Sequence, residues 1–460
     1  MQDSGSRSTF KYPFPPSIPV DRARMTALVK DYWYLNRTAV NPDTDRFVSH
    51  LQKSLNASTV EAKSGEVCLT WRIPKCWRVR HARLMDTQGR LIVDFDSQPL
   101  ALWTHSVSCI GRISREELLD KHICSDPSRP EESPYHYRNG YRYNVEEWGF
   151  SLPYRLVEHL TDPYYVVDIE TELDNDGTLK VVDAFLPGRY EDTIFLMAHT
   201  CHRGLVSDGI ANVAVASELY YYLNSLENRA FSYRFLFGPE YFAAAAYLAR
   251  APKENIERLR FGIYLDMLSS HEALGFQETM QGDSRLDKIL RNVFRSHTIT
   301  SIECPYRQLW GNDEMFYNGP GFTIPTAGLS RGMHREYHYD SDNLENMDVY
   351  HMVESAWILM RVTEVFETDY VPIRRYQGPL YLYQYNLYVD PAKYRKEARQ
   401  LEKIQTLIDG ERSVMDISDE LDLDFFFVRD FLNKLAELDL LEKQPRPPRE
   451  KDRGILRFSK

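Results

Sequence analysis

The chain has 460 residues, 43% hydrophobic and 13% aromatic: ample for packed cores, too long for one, so two to four domains are expected. A formal net charge of −11 speaks against a general nucleic-acid binder, which needs a basic stripe to meet phosphates, and against a polybasic membrane anchor. No apolar run has the length of a transmembrane helix. Six cysteines (68, 76, 109, 124, 201 and 304) form no CxxC pair, so a disulfide framework is not implied and a cytoplasmic location is the simplest reading.

Residues 1–20 are polar and proline-rich, lack an apolar core like that of a signal peptide, and read as a disordered or docking arm. Helical spacing follows over 22–35 and 43–55. The texture then changes. Short strand-like runs at 67–71, 77–84 and 91–95, separated by turns such as Thr87-Gln-Gly89, suggest a small all-β module. Residues 111–143 read as a long loop with a short helix. From about residue 151 the pattern becomes α/β. A hairpin is expected around Asn175-Asp-Gly177, from strands at 164–173 and 179–185. Strands at 193–198, 233–237 and 261–265 alternate with helices at 210–226, 241–249, 285–295 and 347–367. Such alternation predicts a doubly wound, mostly parallel sheet.

The tail from Pro372 carries three amphipathic helix-length segments, 394–407, 414–421 and 425–438. A strand-like Leu440-Leu-Glu-Lys and Gly454-Ile-Leu-Arg-Phe follow. Three helices and a terminal β-ribbon make a winged-helix module. Its second and third helices are joined by Asp422-Leu-Asp424, but the third carries few basic residues. A protein-binding or structural role is therefore favoured over DNA binding. The division expected is an α/β domain over 20–57 and 145–371, an inserted β-rich domain over 58–144, and the winged helix over 372–460.

The chemistry concentrates in Ile194-Phe-Leu-Met-Ala-His199-Thr-Cys-His202-Arg-Gly-Leu-Val-Ser-Asp208-Gly. A buried strand here ends in two histidines and a cysteine, with a carboxylate one loop later. Open α/β sheets place ligands at such carboxyl ends, and imidazole with carboxylate suits Zn²⁺. Three further ends carry the same residue types: Glu240 after 233–237, Asp266 closing 261–265, and Glu336-Tyr-His338-Tyr-Asp-Ser-Asp342-Asn before the long helix. A carboxylate after a strand is often only a helix cap, yet four such ends share one sheet edge. Of the 30 tyrosines, those in Tyr135-His-Tyr137 and Tyr141-Arg-Tyr143 either line a cleft or pack structurally.

The order His199, Asp208, Glu240, Asp266 (in Leu265-Asp-Met267), His338 resembles that of zinc-dependent aminopeptidases with a phosphorylase/hydrolase-like α/β fold. The wider chain resembles bacterial aminopeptidase-like proteins with an inserted β-rich lid and a C-terminal winged helix, often found in biosynthetic gene neighbourhoods. Trp71-Arg-Ile-Pro-Lys-Cys-Trp77, Trp148-Gly-Phe, Gly311-Asn-Asp-Glu314 and Pro320-Gly-Phe carry that resemblance. It implies one or two zinc ions, with His199, Asp208, Asp266 and His338 as ligands and Asp208 as the bridge when two bind. Glu240 becomes the general base, and Cys201 takes a supporting place beside the first ligand. His202 and Asp313 are further candidates for binding metal or for supporting the ligands. Glu314 is a candidate substrate or supporting group.

Two departures stand out. Tyr241 replaces the second acid of a Glu-Glu pair, and Arg203-Gly-Leu-Val-Ser replaces the usual loop after the histidines. The expectation is a cytoplasmic metalloprotease-like amide hydrolase of aminopeptidase type, acting on a small peptide or amide-bearing metabolite, with homo-oligomerisation left open. The alternatives are a catalytically degenerate scaffold of the same fold and, more weakly, a DNA-binding regulator.

Overall fold

The computed structural model describes residues 19–454 apart from 99, 298–301, 309–310, 390–391 and 393–394. Its centre is an eight-stranded mixed sheet in the order 58–63, 178–186, 232–238, 193–199, 259–266, 326–330, 275–277 and 302–304. Strands 232–238, 193–199, 259–266 and 326–330 are mutually parallel. Strands 58–63 and 178–186 extend one side antiparallel. All seven residues of Thr193–His199 are buried, as a central parallel strand covered on both faces requires.

Alternation along that strand divides the core. Ile194, Leu196 and Ala198 meet helix Ala211–Ser225 through Val213, Ala216 and Leu219. Phe195 and Met197 lie in the cluster on the other face, where the Phe195 ring packs on Tyr317 at 4.6 Å and the alanine-rich helix Phe242–Arg250 contributes further members. Gly262 on the neighbouring strand is required there, because a Cβ would fall 2.3 Å from Cζ of Phe195. The helices start where local chemistry satisfies their free N–H groups. Asp21 caps Arg22–Tyr32, Asn41 caps Pro42–Ser54 with proline in the first turn, and Asp348 caps Val349–Thr368. Among the described residues no helix is long and apolar enough to cross a membrane.

A second, antiparallel sheet has the order 91–94, 76–85, 164–174, 109–114. Its membership corrects two expectations. Strands 164–174 and 178–186 do not pair as a hairpin; each pairs elsewhere, the first with 76–85 and 109–114, the second with 58–63 and 232–238. Strand 58–63, expected in the β-rich segment, lies in the main sheet. Residues 67–71 are two short strands, 67–68 and 71–72, broken by the left-handed Leu69 at φ 55°.

Helices Arg395–Thr406, Val414–Leu421 and Phe425–Glu437 occupy the expected tail positions. The following strand Leu441–Pro445 pairs antiparallel with Tyr370–Arg374, so its partner comes from before the three helices. The expected last strand falls largely on 455–460, outside the described residues. The tail is not a separate core: Ile404, Val414, Phe425 and Leu432 belong to the cluster that includes Ile358 and Leu290. Buried ions fasten the same junction. Arg285 reaches Asp369 at 2.8 Å, and Arg446 pairs with both oxygens of Asp452 at 2.8 and 2.9 Å.

Candidate metal centre

The parallel strands end at one edge and bring the chemistry together there. His199 closes its strand, Glu240 lies two residues beyond Ser232–Gly238, and Asp266 closes Leu259–Asp266. The loop after Ser330 supplies His338 and Asp342. Between Thr193–His199 and Ala211–Ser225 the chain turns sharply at Asp208 (φ −82°, ψ 78°) and Gly209 (φ 131°). Gly209 admits that conformation, and a Cβ there would fall 2.8 Å from the Cys201 carbonyl oxygen.

Asp208 stands between two sets of donors. Its Oδ1 is 3.2 Å from Nε2 of His199 and 3.7 Å from Nδ1 of His202; its Oδ2 is 2.9 Å from Nε2 of His338. His199 Nε2 is also 3.2 Å from Oδ1 of Asp266. Two three-donor groups result, His199–Asp208–Asp266 and His202–Asp208–His338, each with ligand atoms within 4.8 Å of one another. All but His338 are buried. Imidazole and carboxylate donors in this number fit Zn²⁺.

The surroundings tune these groups. Burial, helped by the neighbouring charges of His199, His338 and Arg37, pulls the His202 imidazole down to about 3 against the opposing pull of Asp208, so it is a neutral donor. Burial would lower His199 too, but hydrogen bonds to Asp208 and Asp266 hold it well above its ordinary value. Burial would raise Asp208, yet the histidines around it keep it well below the usual carboxylate range.

Glu240 is one-sidedly different. Burial raises it against the opposing pull of His199. Asn312 Nδ2 donates to its Oε1 at 2.6 Å, the Tyr141 hydroxyl donates to its Oε2, and His202 Nε2 lies 4.0 Å away. Cys201 Sγ accepts the Glu240 N–H at 3.4 Å and contacts Nδ1 of His199 and His202 at 3.6 and 3.4 Å. Asp313 lies outside both donor groups; its Oδ1 accepts the Tyr241 N–H and so holds the turn carrying Glu240. Glu314 is buried and accepts from Gln277 Nε2 at 3.2 Å and from the Asn312 N–H at 2.7 Å, in a supporting position. Tyr241 turns away and stacks on Trp71 at 5.4 Å.

The backbone is strained where it delivers these side chains. His202, Tyr241, Met267 and His338 all have φ between 52° and 68°, at a cost of about 1–3 kcal/mol each for non-glycine residues. Residues that sequence reasoning missed hold the strain in place. Arg37, fully buried, donates to the carbonyls of Tyr32, Trp33, Thr200, Cys201, His202 and Leu205. Burial lowers its pKa to about 10, and among the described residues no carboxylate forms an ion pair with it. Asp342 accepts the N–H groups of Ser207 and Asp208 at 2.8 and 2.9 Å, and burial raises it to about 7. Arg203 lies buried between Trp77 and Phe95 and donates to the Leu102 carbonyl, tying the site loop to the second sheet.

Residues 133–141 close the other side. Tyr135 N–H donates to the His338 carbonyl at 2.8 Å, and the Tyr137 ring lies 4.8 Å from that of His338. Tyr141 packs on Phe242 at 5.6 Å. The tyrosines of this segment therefore line the site.

A Clostridium acetobutylicum protein, provisionally described as a polysaccharide biosynthesis protein with an aminopeptidase-like domain, is 24% identical over 421 residues, spanning 90% of this chain and 95% of the relative. The fold is that of a crystal structure from Clostridium acetobutylicum, provisionally named a peptidase (TM-score 0.82, 22% identity, 92% of this chain and 96% of that one). It is also similar to a zinc aminopeptidase from Bacillus subtilis (TM-score 0.56, 11% identity, 76% and 95% covered). Residues 26–369, about three-quarters of the chain, match a single family. The chain accordingly belongs to the family described as Domain of unknown function (DUF4910) and has an aminopeptidase-like fold.

Proposed function

We propose that the protein is a zinc-dependent hydrolase of aminopeptidase type that cleaves the amide bond of a small peptide or amide-bearing metabolite. The observation that carries this reading is Asp208, common to two histidine-containing donor groups and touched by His199 and His202 on one oxygen and by His338 on the other, beside a half-buried Glu240 held by Asn312 and Tyr141. His199, Asp208 and Asp266 would hold one ion. His202, Asp208 and His338 would hold a second, with His202 standing in for the acid that Tyr241 has replaced. Bound zinc supplies Lewis acidity and lowers the pKa of water to about 7.

The chain's own groups do the rest. Glu240, raised by burial, takes a proton at Oε2 from the attacking water and returns it to the leaving amine. Asn312 fixes the other carboxylate oxygen. Tyr135, Tyr137 and Tyr141 exclude bulk water and narrow the entrance. The segment 76–144, together with strand 164–174, then acts as a lid that admits small substrates only. The three tail helices, in a winged-helix-like arrangement, play a structural part through their shared core with the α/β region.

The test is zinc content with turnover of aminoacyl amides in parent and Glu240→Gln protein. Zinc in both, with hydrolysis only in the parent, supports the proposal. The scaffold reading draws on Tyr241, and is favoured if the parent binds no zinc and His199→Ala leaves stability unchanged.

A further inference from the structure

Beside Glu240 and His202 the lid, the N-terminal segment and the sheet edge line a small, half-open cavity. Thr38, His105, Tyr137, Gly140 and Phe242 are among its walls. Its volume is about 30 Å³, room for two or three atoms on the scale at which a water needs about 10–15 Å³, fewer than an isobutyl or benzyl side chain carries.

Three of its walls carry polar atoms with no partner. Thr38 Oγ1, Thr104 Oγ1 and His105 Nδ1 are buried without a hydrogen bond, in residues only 3%, 4% and 6% exposed. The backbone oxygen of Thr38, by contrast, is used by Thr44. His105 Nε2 lies 3.4 Å from the Lys75 carbonyl oxygen, which can only accept, so Nε2 carries the hydrogen and Nδ1 is a bare acceptor. Burial keeps the ring neutral, lowering its pKa to about 4. His105 also holds a left-handed backbone at φ 59°. A Cβ added to Gly140 would sit 3.5 Å from Nδ1, in van der Waals contact with it. Buried polar atoms left unpaired are costly; strain and unmet acceptors at one small cavity are the marks of a ligand site.

We infer that this cavity is the specificity pocket for the residue released by the enzyme, and that it selects a short side chain ending in a hydrogen-bond donor, of the hydroxymethyl kind. The inference rests on the amide-hydrolase reading. The enclosed side of the site takes the chain end, while the remainder leaves through the mouth. His105 Nδ1 accepts from the substrate hydroxyl and Thr38 Oγ1 completes its hydrogen bonding. Both are positioning residues.

The experiment compares kcat/KM of the zinc-loaded protein for the p-nitroanilides of L-serine, L-alanine and L-leucine. Serine is expected to exceed alanine about tenfold, the worth of one buried neutral hydrogen bond, with leucine lowest. Thr38→Val, which removes only the unpaired hydroxyl, and Gly140→Ala, which fills the space before Nδ1, should each reduce the serine-to-alanine ratio at least threefold while unfolding at the parent's temperature. Hydrolysis with a serine-to-alanine ratio near one, or a ratio that both variants leave intact, overturns the pocket and leaves the hydrolase standing. If no anilide is cleaved, the amide-hydrolase reading loses support. The pocket is then decided by calorimetric titration of Glu240→Gln protein with L-serinamide and L-alaninamide: tighter binding of serinamide supports it, and equal or absent binding of the two overturns it.

Discussion

His338 meets Asp208 on the carboxylate oxygen that His199 does not touch: His338 Nε2 is 2.9 Å from Oδ2, His199 Nε2 3.2 Å from Oδ1. One aspartate is thereby shared by two donor groups that have no other member in common. Elemental analysis of dialysed protein should show two zinc ions per chain. His338→Ala and His202→Ala should each lose one, His199→Ala the other, and Asp208→Ala both. Retention of both ions by His202→Ala would remove that histidine from the second group.

Glu240→Gln should keep its zinc and its fold, because Asn312 and Tyr141 can still bond the amide. Its kcat should fall by about 10²–10⁴, the usual worth of a general base. Turnover within threefold of the parent would assign the proton transfer elsewhere.

Arg37 binds six backbone carbonyls, four of them on 200–205. A lysine keeps the charge but has only three donors on one nitrogen. Arg37→Lys should therefore cost about 3 kcal/mol in urea unfolding, since charged hydrogen bonds contribute about 1.5–3 kcal/mol each. It should also weaken zinc retention, because the lost contacts include the carbonyl of His202. Full stability with full zinc content would show that the loop is held by its other contacts.

The tail junction predicts a pH effect. Burial pushes the Asp452 carboxyl up, but its pairing with Arg446 outweighs this and holds it below the ordinary range. A carboxylate lowered by folding contributes stability that is present above its unfolded pKa of about 3.9 and is lost as pH falls through the folded value. Asp452→Asn should melt well below the parent at pH 7, by the equivalent of about 3 kcal/mol for a buried pair losing one partner. The gap should close as pH falls below about 4. A gap that stays constant from pH 7 to pH 3 would mean that the pair contributes nothing through its charge.

Three of the four parallel strands were legible because they are covered on both faces and read as apolar runs, as in Thr193–Ala198, with residues that carry chemistry at or just past their ends; the fourth, Thr326–Ser330, is short and rich in small residues (Thr-Ala-Gly-Leu-Ser) and was not read as a strand. Helix boundaries agreed within a few residues where a side chain caps the start, as at Asp348. What sequence could not supply is partner choice. Tyr164–Asp174 and Thr178–Leu186 look like a hairpin because a turn signal separates two strands, yet each finds its partners in other parts of the chain, up to 125 residues away. Arg37 left no trace either: its partners are main-chain oxygens, which every residue has. The tyrosines of 135–141 were visible as a cluster, but their direction toward His338 and Glu240 depends on backbone pairing of 133–135 with 338–340.

That split of neighbouring strands has an evolutionary corollary. An ordinary insertion enters and leaves a host domain at one point and can be excised there. Here the eleven-residue strand Tyr164–Asp174 is contributed from outside the inserted segment and sits second from the edge of its sheet. Deleting 58–144 would strip it of both neighbours, bare the buried row Tyr165, Val167 and Ile169, and present a long unpaired apolar edge of the kind that aggregates. It would also remove strand 58–63 from the flank of the main sheet. The two sheets can therefore be inherited only as a unit, and a lidless ancestor must have differed from this chain at the 164–186 crossing as well as by the length of the insertion.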